Sequence, residues 1–139
     1  MNYKTMNDDA IETMLAADTF AVVGASTNPE KYGYLVYKSL KRHGKTAFPV
    51  NPRAADIEGD TCYPNVAALP EKPQVAVAIV PPAITEKLVD ELAQAGVTNL
   101  WLQPGAESVA AVEKAEAAGI SVVHGGPCIM VLLATKGRR

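Results

Sequence analysis

Gly24-Ala25-Ser26-Thr27-Asn28-Pro29-Glu30-Lys31-Tyr32-Gly33 places two glycines, a serine hydroxyl and a lysine at the start of an amphipathic segment. A phosphate cradle is made from these types: backbone that can approach an anion closely, unpaired helix N–H groups, and a cation beside them. The apolar run Phe20–Val23 leads into the loop as a strand buried on both faces, and a helix over Tyr32–His43 follows. The positive end of that helix faces the space above the strand, where an anion gains roughly 0.3–1 kcal/mol.

The loop is not the usual dinucleotide fingerprint. Gly-x-Gly-x-x-Gly needs glycines at 24, 26 and 29, where this chain has Gly24, Ser26 and Pro29, with the second glycine deferred to Gly33. The next strand-like run, Lys45–Val50, ends in Asn51-Pro52-Arg53 instead of the acidic residue that binds a ribose diol. A basic residue there suits an extra phosphate, either the 2′-phosphate of NADP or the phosphorylated ribose of coenzyme A. Gly-Lys-Ser/Thr is absent, so nucleotide hydrolysis is not indicated.

The remaining reactive types are sparse. His124 and Cys128 lie four positions apart after a strand and are the one pair suited to nucleophilic or redox work, yet no third group orients them. Cys128 is therefore expected to be a small core residue, and no catalytic residue is assigned. His43, before Gly44 at a helix end, complements the helix dipole. Two histidines and two cysteines make no metal set, and Asp56, Glu58 and Asp60 lack the later glutamate of a Ca²⁺ loop.

Strand-type and helix-type segments alternate from Phe20 onward, the pattern of an α/β protein with a parallel sheet covered on both faces. The expected order is a leading helix Asn7–Ala17 capped by Asn7, strand Phe20–Gly24, helix Tyr32–His43 and strand Lys45–Val50. An irregular stretch, Asn51–Pro73, with a short helix at Val66–Leu69, comes next. Strand Val75–Val80, helix Pro82–Ala95, strand Asn99–Gln103, helix Ala106–Ala118, strand Ser121–His124 and an apolar helix Pro127–Ala134 complete the chain, before a frayed tail at Lys136–Arg139. The fold class is a Rossmann-like three-layer sandwich with a five-stranded, mostly parallel sheet. Ligands of such sheets sit at the C-terminal strand ends, where strand order reverses. Those ends carry Gly24-Ala25-Ser26, Asn51-Pro52-Arg53, Val80-Pro81-Pro82 and Gln103-Pro104-Gly105, a set of small, polar and proline-stiffened residues that suits a binding crevice. Trp101 reads as core, its indole N–H in need of a partner.

The chain has 139 residues, 48% hydrophobic and 20% charged, with a net charge of −2, which describes one globular domain over 1–139 with its core at about 19–133. A slightly acidic balance speaks against nucleic-acid or membrane-surface binding. No segment reads as a bilayer span, and Met1-Asn2-Tyr3-Lys4-Thr5 has no signal-peptide core, so a cytoplasmic location with free thiols is expected.

Four motifs taken together are similar to the stand-alone CoA-binding proteins, whose domain resembles the N-terminal domain of the succinyl-CoA synthetase α subunit. They are Val23-Gly24-Ala25-Ser26 with Pro29, Lys31 and Gly33; Val50-Asn51-Pro52 with Gly59 and Tyr63; Val80-Pro81-Pro82; and Trp101-Leu102-Gln103-Pro104-Gly105. The resemblance implies coenzyme A or an acyl-CoA as ligand, with phosphates at Gly24–Gly33, including Tyr32. It also implies polar contacts from Ser26 and Lys31, and adenosine near Asn51–Arg53 and Val80–Pro82. Gln103 and Gly105 join the site as strand-end contacts. The chain departs from the family pattern at His124-Gly125-Gly126-Pro127-Cys128, where an acidic and a basic residue would precede the cysteine. The synthetase's phosphorylated histidine belongs to a further domain, so its catalysis does not carry over. The expectation is a binder without catalysis of its own. An NAD(P)-linked or acyl-CoA-transforming enzyme, and a CoA-site partner of an acyl-CoA ligase, stand as alternatives.

Overall fold

Strand residues here alternate between two apolar layers, and that alternation sets the architecture. The computed structural model describes residues 3–136. In chain order it contains α1 (Tyr3–Leu15), β1 (Thr19–Val23), α2 (Tyr32–Arg42), β2 (Thr46–Val50), β3 (Asp56–Ile57), β4 (Asp60–Thr61) and a 3-10 turn (Val66–Ala68). These are followed by β5 (Val75–Ala78), α3 (Pro82–Ala95), β6 (Asn99–Leu102), α4 (Val109–Ala117), β7 (Ser121–Val123) and α5 (Ile129–Thr135). The main sheet has the order β2-β1-β5-β6-β7, and all four of its pairings are parallel. The expected five-stranded sheet is thus wholly parallel.

Because successive side chains point to opposite faces, Phe20, Val22, Val75, Val77, Trp101 and Val123 bury against α1, α2 and α5. Ala21, Val23, Ala76, Ala78, Leu100 and Leu102 bury against α3 and α4. The result is the three-layer sandwich. Trp101 is fully buried, and its Nε1 donates to the carbonyl of Pro127 at 3.2 Å, tying the sheet to the segment that opens α5. His43 closes α2, its Nδ1 2.8 Å from the Ser39 carbonyl.

Three expectations are corrected. The leading helix starts at Tyr3, so Asn7 lies within it and is not its cap. Residues 3–6 contain no proline or glycine to stop the helix propagating past a residue that merely favours a cap. Helix α4 starts at Val109 and not at Ala106, because Gly105 takes φ +98° in a turn and Ser108 is the cap, its Oγ accepting from the Ala111 N–H at 3.0 Å. The stretch after β2 is not wholly irregular. Glu58 (φ +52°) and Gly59 (φ +86°) form a two-residue turn with both central residues left-handed, and they close the small β3–β4 hairpin. The frayed tail expected at Lys136–Arg139 lies outside the described residues from 137 onward.

The hairpin is strapped to α2 by side chains of both. Lys38 bonds Glu58 at 2.6 Å, Tyr34 donates to Glu58, and Asp60 accepts from both Lys41 and Tyr37. These bonds engage Glu58 and Asp60, and among the described residues no three His, Cys, Asp or Glu side chains converge on a metal position. The Lys41 ammonium and then the Tyr37 hydroxyl hold the Asp60 carboxyl below its ordinary value, while burial, and then Asp60, pushes the Tyr37 hydroxyl up. A carboxyl lowered on folding stabilises fully above its unfolded value of 3.8 and loses that contribution as acid titrates the folded form. Both partners are about two-fifths exposed, so water and salt screen the pair to at most about 1 kcal/mol. Weaker protection of the Cys62 and Tyr63 amides, measured against their intrinsic exchange rates, is expected below about pH 4, and Asp60→Asn should remove that pH dependence of the protection.

Candidate functional site

Strand order reverses between β1 and β5, and a crevice of about 580 Å³ opens at their C-terminal ends. Its geometry depends on two glycines. A Cβ on Gly33 would fall closer than 3.0 Å to the Gly24 carbonyl oxygen, and one on Gly24 equally close to that of Ile79. Gly24 also needs its φ of +99°. Gly33 therefore lets the first turn of α2 rest directly on the end of β1, as the third glycine of a dinucleotide fingerprint does, with four more residues of loop between.

Those extra residues are held by their own side chains. The Asn28 N–H donates to Ser26 Oγ at 3.0 Å, the Glu30 N–H to Asn28 Oδ1 at 3.0 Å, and the Lys31 N–H to the Asn28 carbonyl at 3.0 Å. Among the described residues the Ser26 hydroxyl accepts this bond and donates none. Lys31 occupies the cap position of α2 with extended backbone, and no side chain caps the helix. The Tyr34 and Leu35 N–H groups turn back to the Lys31 carbonyl, both at 3.1 Å, and Lys31 itself lines the crevice.

Asn51 fastens this loop to the end of β2. Its Nδ2 donates to the Ala25 carbonyl at 2.8 Å, and its Oδ1 accepts from the Arg53 N–H at 2.8 Å. Below it, the buried Cys62 thiol points at the Asn51 carbonyl, 3.7 Å away, and burial pushes that thiol up. Arg53 is thereby set on the rim across from Lys31, giving one crevice two exposed cations. Val80, Pro81 and Ile84 supply the opposite wall, Ile84 being 44% exposed in the first turn of α3. Glu91 closes the far end, near the Val66 N–H at 3.4 Å.

The structure brings Gly24, Ser26, Lys31, Asn51, Pro52, Arg53, Val80 and Pro81 to the crevice lining. The other six candidates stand elsewhere. Ala25 is buried beneath the loop, and Gly33 is buried against Gly24. Tyr32, 63% exposed, stands at the start of α2, and Pro82 begins α3. Gln103 is buried and turned toward α5, its Oε1 accepting from the Ile129 N–H at 2.7 Å and its Nε2 lying 3.4 Å from Cys128 Sγ. Gly105 lies in the turn before α4, where its N–H meets Glu107 Oε1 at 3.0 Å. Among the described residues no hydrogen bond joins His124 to Cys128.

Sequence reasoning missed Pro64, Asn65, Ile84 and Glu91. The first two arrive through an isolated parallel bridge between Val50 and Tyr63, a long-range pairing with no local signal. Ile84 had one: it is a large apolar residue in the first turn of a helix that opens at a strand's C-terminal end.

A family model described as a CoA binding domain matches residues 18–134. Among solved structures, a conserved hypothetical protein from Pyrococcus furiosus is 43% identical with a TM-score of 0.78, over 82% of this chain and 97% of that one. A hypothetical protein from Pyrococcus horikoshii OT3 is 32% identical with a TM-score of 0.86, over 92% and 89%. The α subunit of an ADP-forming acetate–CoA ligase II from Pyrococcus furiosus is 36% identical over 81 residues, 58% of this chain and 18% of the subunit. The matched segment is thus less than a fifth of that ligase subunit.

Proposed function

This chain belongs to the CoA-binding domain family, and on that premise we propose that the crevice at the β1/β5 switch point binds coenzyme A, or an acyl-CoA, without catalysis of its own. The observation that supports this is the close approach of Gly33 to the Gly24 carbonyl, which rests the first turn of α2 on the end of β1, with Ser26 and Lys31 of the intervening loop both lining the crevice. The donor chemistry fits the ligand. Helix N–H groups, a free hydroxyl proton and an ammonium take the diphosphate, and the Arg53 guanidinium takes the phosphate on the ribose. Pro52, Pro64, Val80, Pro81 and Ile84 offer rigid apolar surface to the adenine. Restricting the rotation of a long, flexible ligand costs free energy, and prolines that are stiff before binding add nothing to that cost.

Within this reading the protein's residues bind and orient and move no proton. His124 and Cys128 lack a mutual bond, and Cys128 Sγ lies against Gln103. The likeness to a segment of a ligase α subunit supports coenzyme A as ligand and brings no ligase chemistry with it.

Titration calorimetry tests the proposal. Coenzyme A is expected to bind more tightly than AMP or NADP. A Ser26→Ala, Lys31→Ala double variant should weaken it by about tenfold to a hundredfold, the worth of one or two charge-assisted bonds in a partly dry site. Arg53→Ala should narrow the preference for coenzyme A over its 3′-dephospho form. Unchanged affinity in the double variant would end the proposal.

A further inference from the structure

We propose that a second cavity, between the first turn of α4 and the end of β7, receives the acyl group of a short-chain acyl-CoA, so that the preferred ligand is a thioester and not the free thiol. The inference rests on the coenzyme A reading above and goes beyond it by naming the ligand class. The cavity holds about 270 Å³ and is lined by Val109, Val112, His124, Gly125 and the flanks of Glu107 and Glu113.

Its walls are almost wholly apolar although two of these residues are acidic, and the hydrogen bonds show why. Glu107 spends both carboxylate oxygens on backbone, Oε1 on the Gly105 N–H at 3.0 Å and Oε2 on the Gly125 N–H at 3.1 Å. Ser108 likewise spends its hydroxyl, accepting from the Ala111 N–H and donating to Glu86 Oε2 at 2.8 Å. What faces the space is mostly the hydrocarbon of Val109 and Val112 beside the His124 ring, with Val109 78% exposed at the rim.

Position selects the occupant. In a parallel sheet every strand ends on the same edge, so the loops after β6 and β7 open on the same edge as the crevice at β1. From β1 through β5 and β6 to β7 is three strand spacings, about 14 Å. The pantetheine arm runs about thirteen bonds from phosphorus to sulfur and reaches about 15 Å when extended, by the same bond geometry that gives a peptide its length. With the diphosphate at α2 and the ribose phosphate at Arg53, on the β2 side, the arm points toward β7 and its sulfur arrives at the mouth of the apolar cavity. The cavity of about 470 Å³ beside α3 does not suit a hydrocarbon tail: Glu71, Lys72, Glu91 and Gln94 line it, and Pro73 places it at the start of β5, on the opposite edge of the sheet.

Calorimetry with coenzyme A, acetyl-CoA and hexanoyl-CoA tests the inference on the full chain. Each buried methylene is worth about a factor of four. Hexanoyl-CoA should therefore bind at least about tenfold more tightly than coenzyme A, with acetyl-CoA between. Val109→Asp, at an exposed first helical position where an acidic residue is well tolerated, should reduce that gain to about twofold or less and leave coenzyme A itself unchanged. Val112→Thr should reduce it in part. Equal affinity for free and acylated ligand in the unaltered protein, or equal weakening of both by Val109→Asp, overturns the acyl site while the coenzyme A crevice stands. Failure of coenzyme A to bind at all removes the crevice reading, and this inference with it.

Discussion

Gly33→Ala should abolish detectable coenzyme A binding and lower the melting temperature by up to about 8 °C. Judged locally, the substitution ought to stabilise the protein: Gly33 lies in α2 without a left-handed φ, and alanine is the better helix former by about 1 kcal/mol. Tertiary contact reverses the sign. The new Cβ would sit closer than 3.0 Å to a backbone oxygen of Gly24, which cannot move aside as a side-chain tip can. The first turn of α2 must instead lift off β1, an overpacking cost of about 1–3 kcal/mol that outweighs the propensity gain. The same displacement draws the helix N–H groups and Lys31 away from the diphosphate, and an error of about 1 Å in such a cradle is enough to lose most of its bonds. Gly119→Ala is the control. Its φ is +80° but no atom lies within 4 Å of the added Cβ, so it should cost about 1 kcal/mol in strain and leave affinity unchanged. Thermal melts and calorimetry on both variants separate crowding from strain, and a stabilised, binding-competent Gly33→Ala protein would refute the account.

Trp101→Ala should cost about 3–5 kcal/mol, a fall in melting temperature of about 10 °C or more. The side chain is fully buried in the layer beneath α1 and α5, so its removal leaves a cavity that the rigid β5–β6–β7 strands cannot collapse to fill. Trp101→Phe divides the effect. It keeps most of the hydrocarbon but strips the Pro127 carbonyl of its donor, for about 1–3 kcal/mol. Because Trp101 stands on β6, two strands from β1, and its bond runs to Pro127 and not to the Gly24–Gly33 loop, affinity of the Phe variant for coenzyme A should stay within about twofold of the unaltered protein. A melt of the Phe variant identical to that of the parent would show that the indole bond to Pro127 contributes nothing.

The part of the crevice lining that comes from the loop after β1 was legible because its signals are local. A glycine at a strand's end, a cation at a helix cap and polar residues that fold a loop onto itself lie within ten positions, Gly24–Gly33. Residue type alone did not separate contact from support. Gln103 and Gly105 have the same polar, strand-end character as Asn51 and Arg53, yet one holds the opening of α5 and the other a turn held by Glu107. Asn51 reaches the crevice lining and also joins two loops, a double role that appears only once β1 and β2 are paired. The β3–β4 hairpin escaped notice because its turn is Glu58-Gly59, with glutamate in a left-handed conformation that Asn or Asp usually takes.

Alternation of apolar runs with amphipathic segments, each ended by glycine or proline, was enough to establish an α/β chain with five principal strands and the loop after the first of them, because periodicity and backbone stereochemistry act over a few residues. Which strands become neighbours was decided only in three dimensions. The order β2-β1-β5-β6-β7 brings Pro64, Asn65 and Ile84 to the crevice and sets an apolar cavity three strands from the loop after β1, through pairings that no local stretch of sequence encodes.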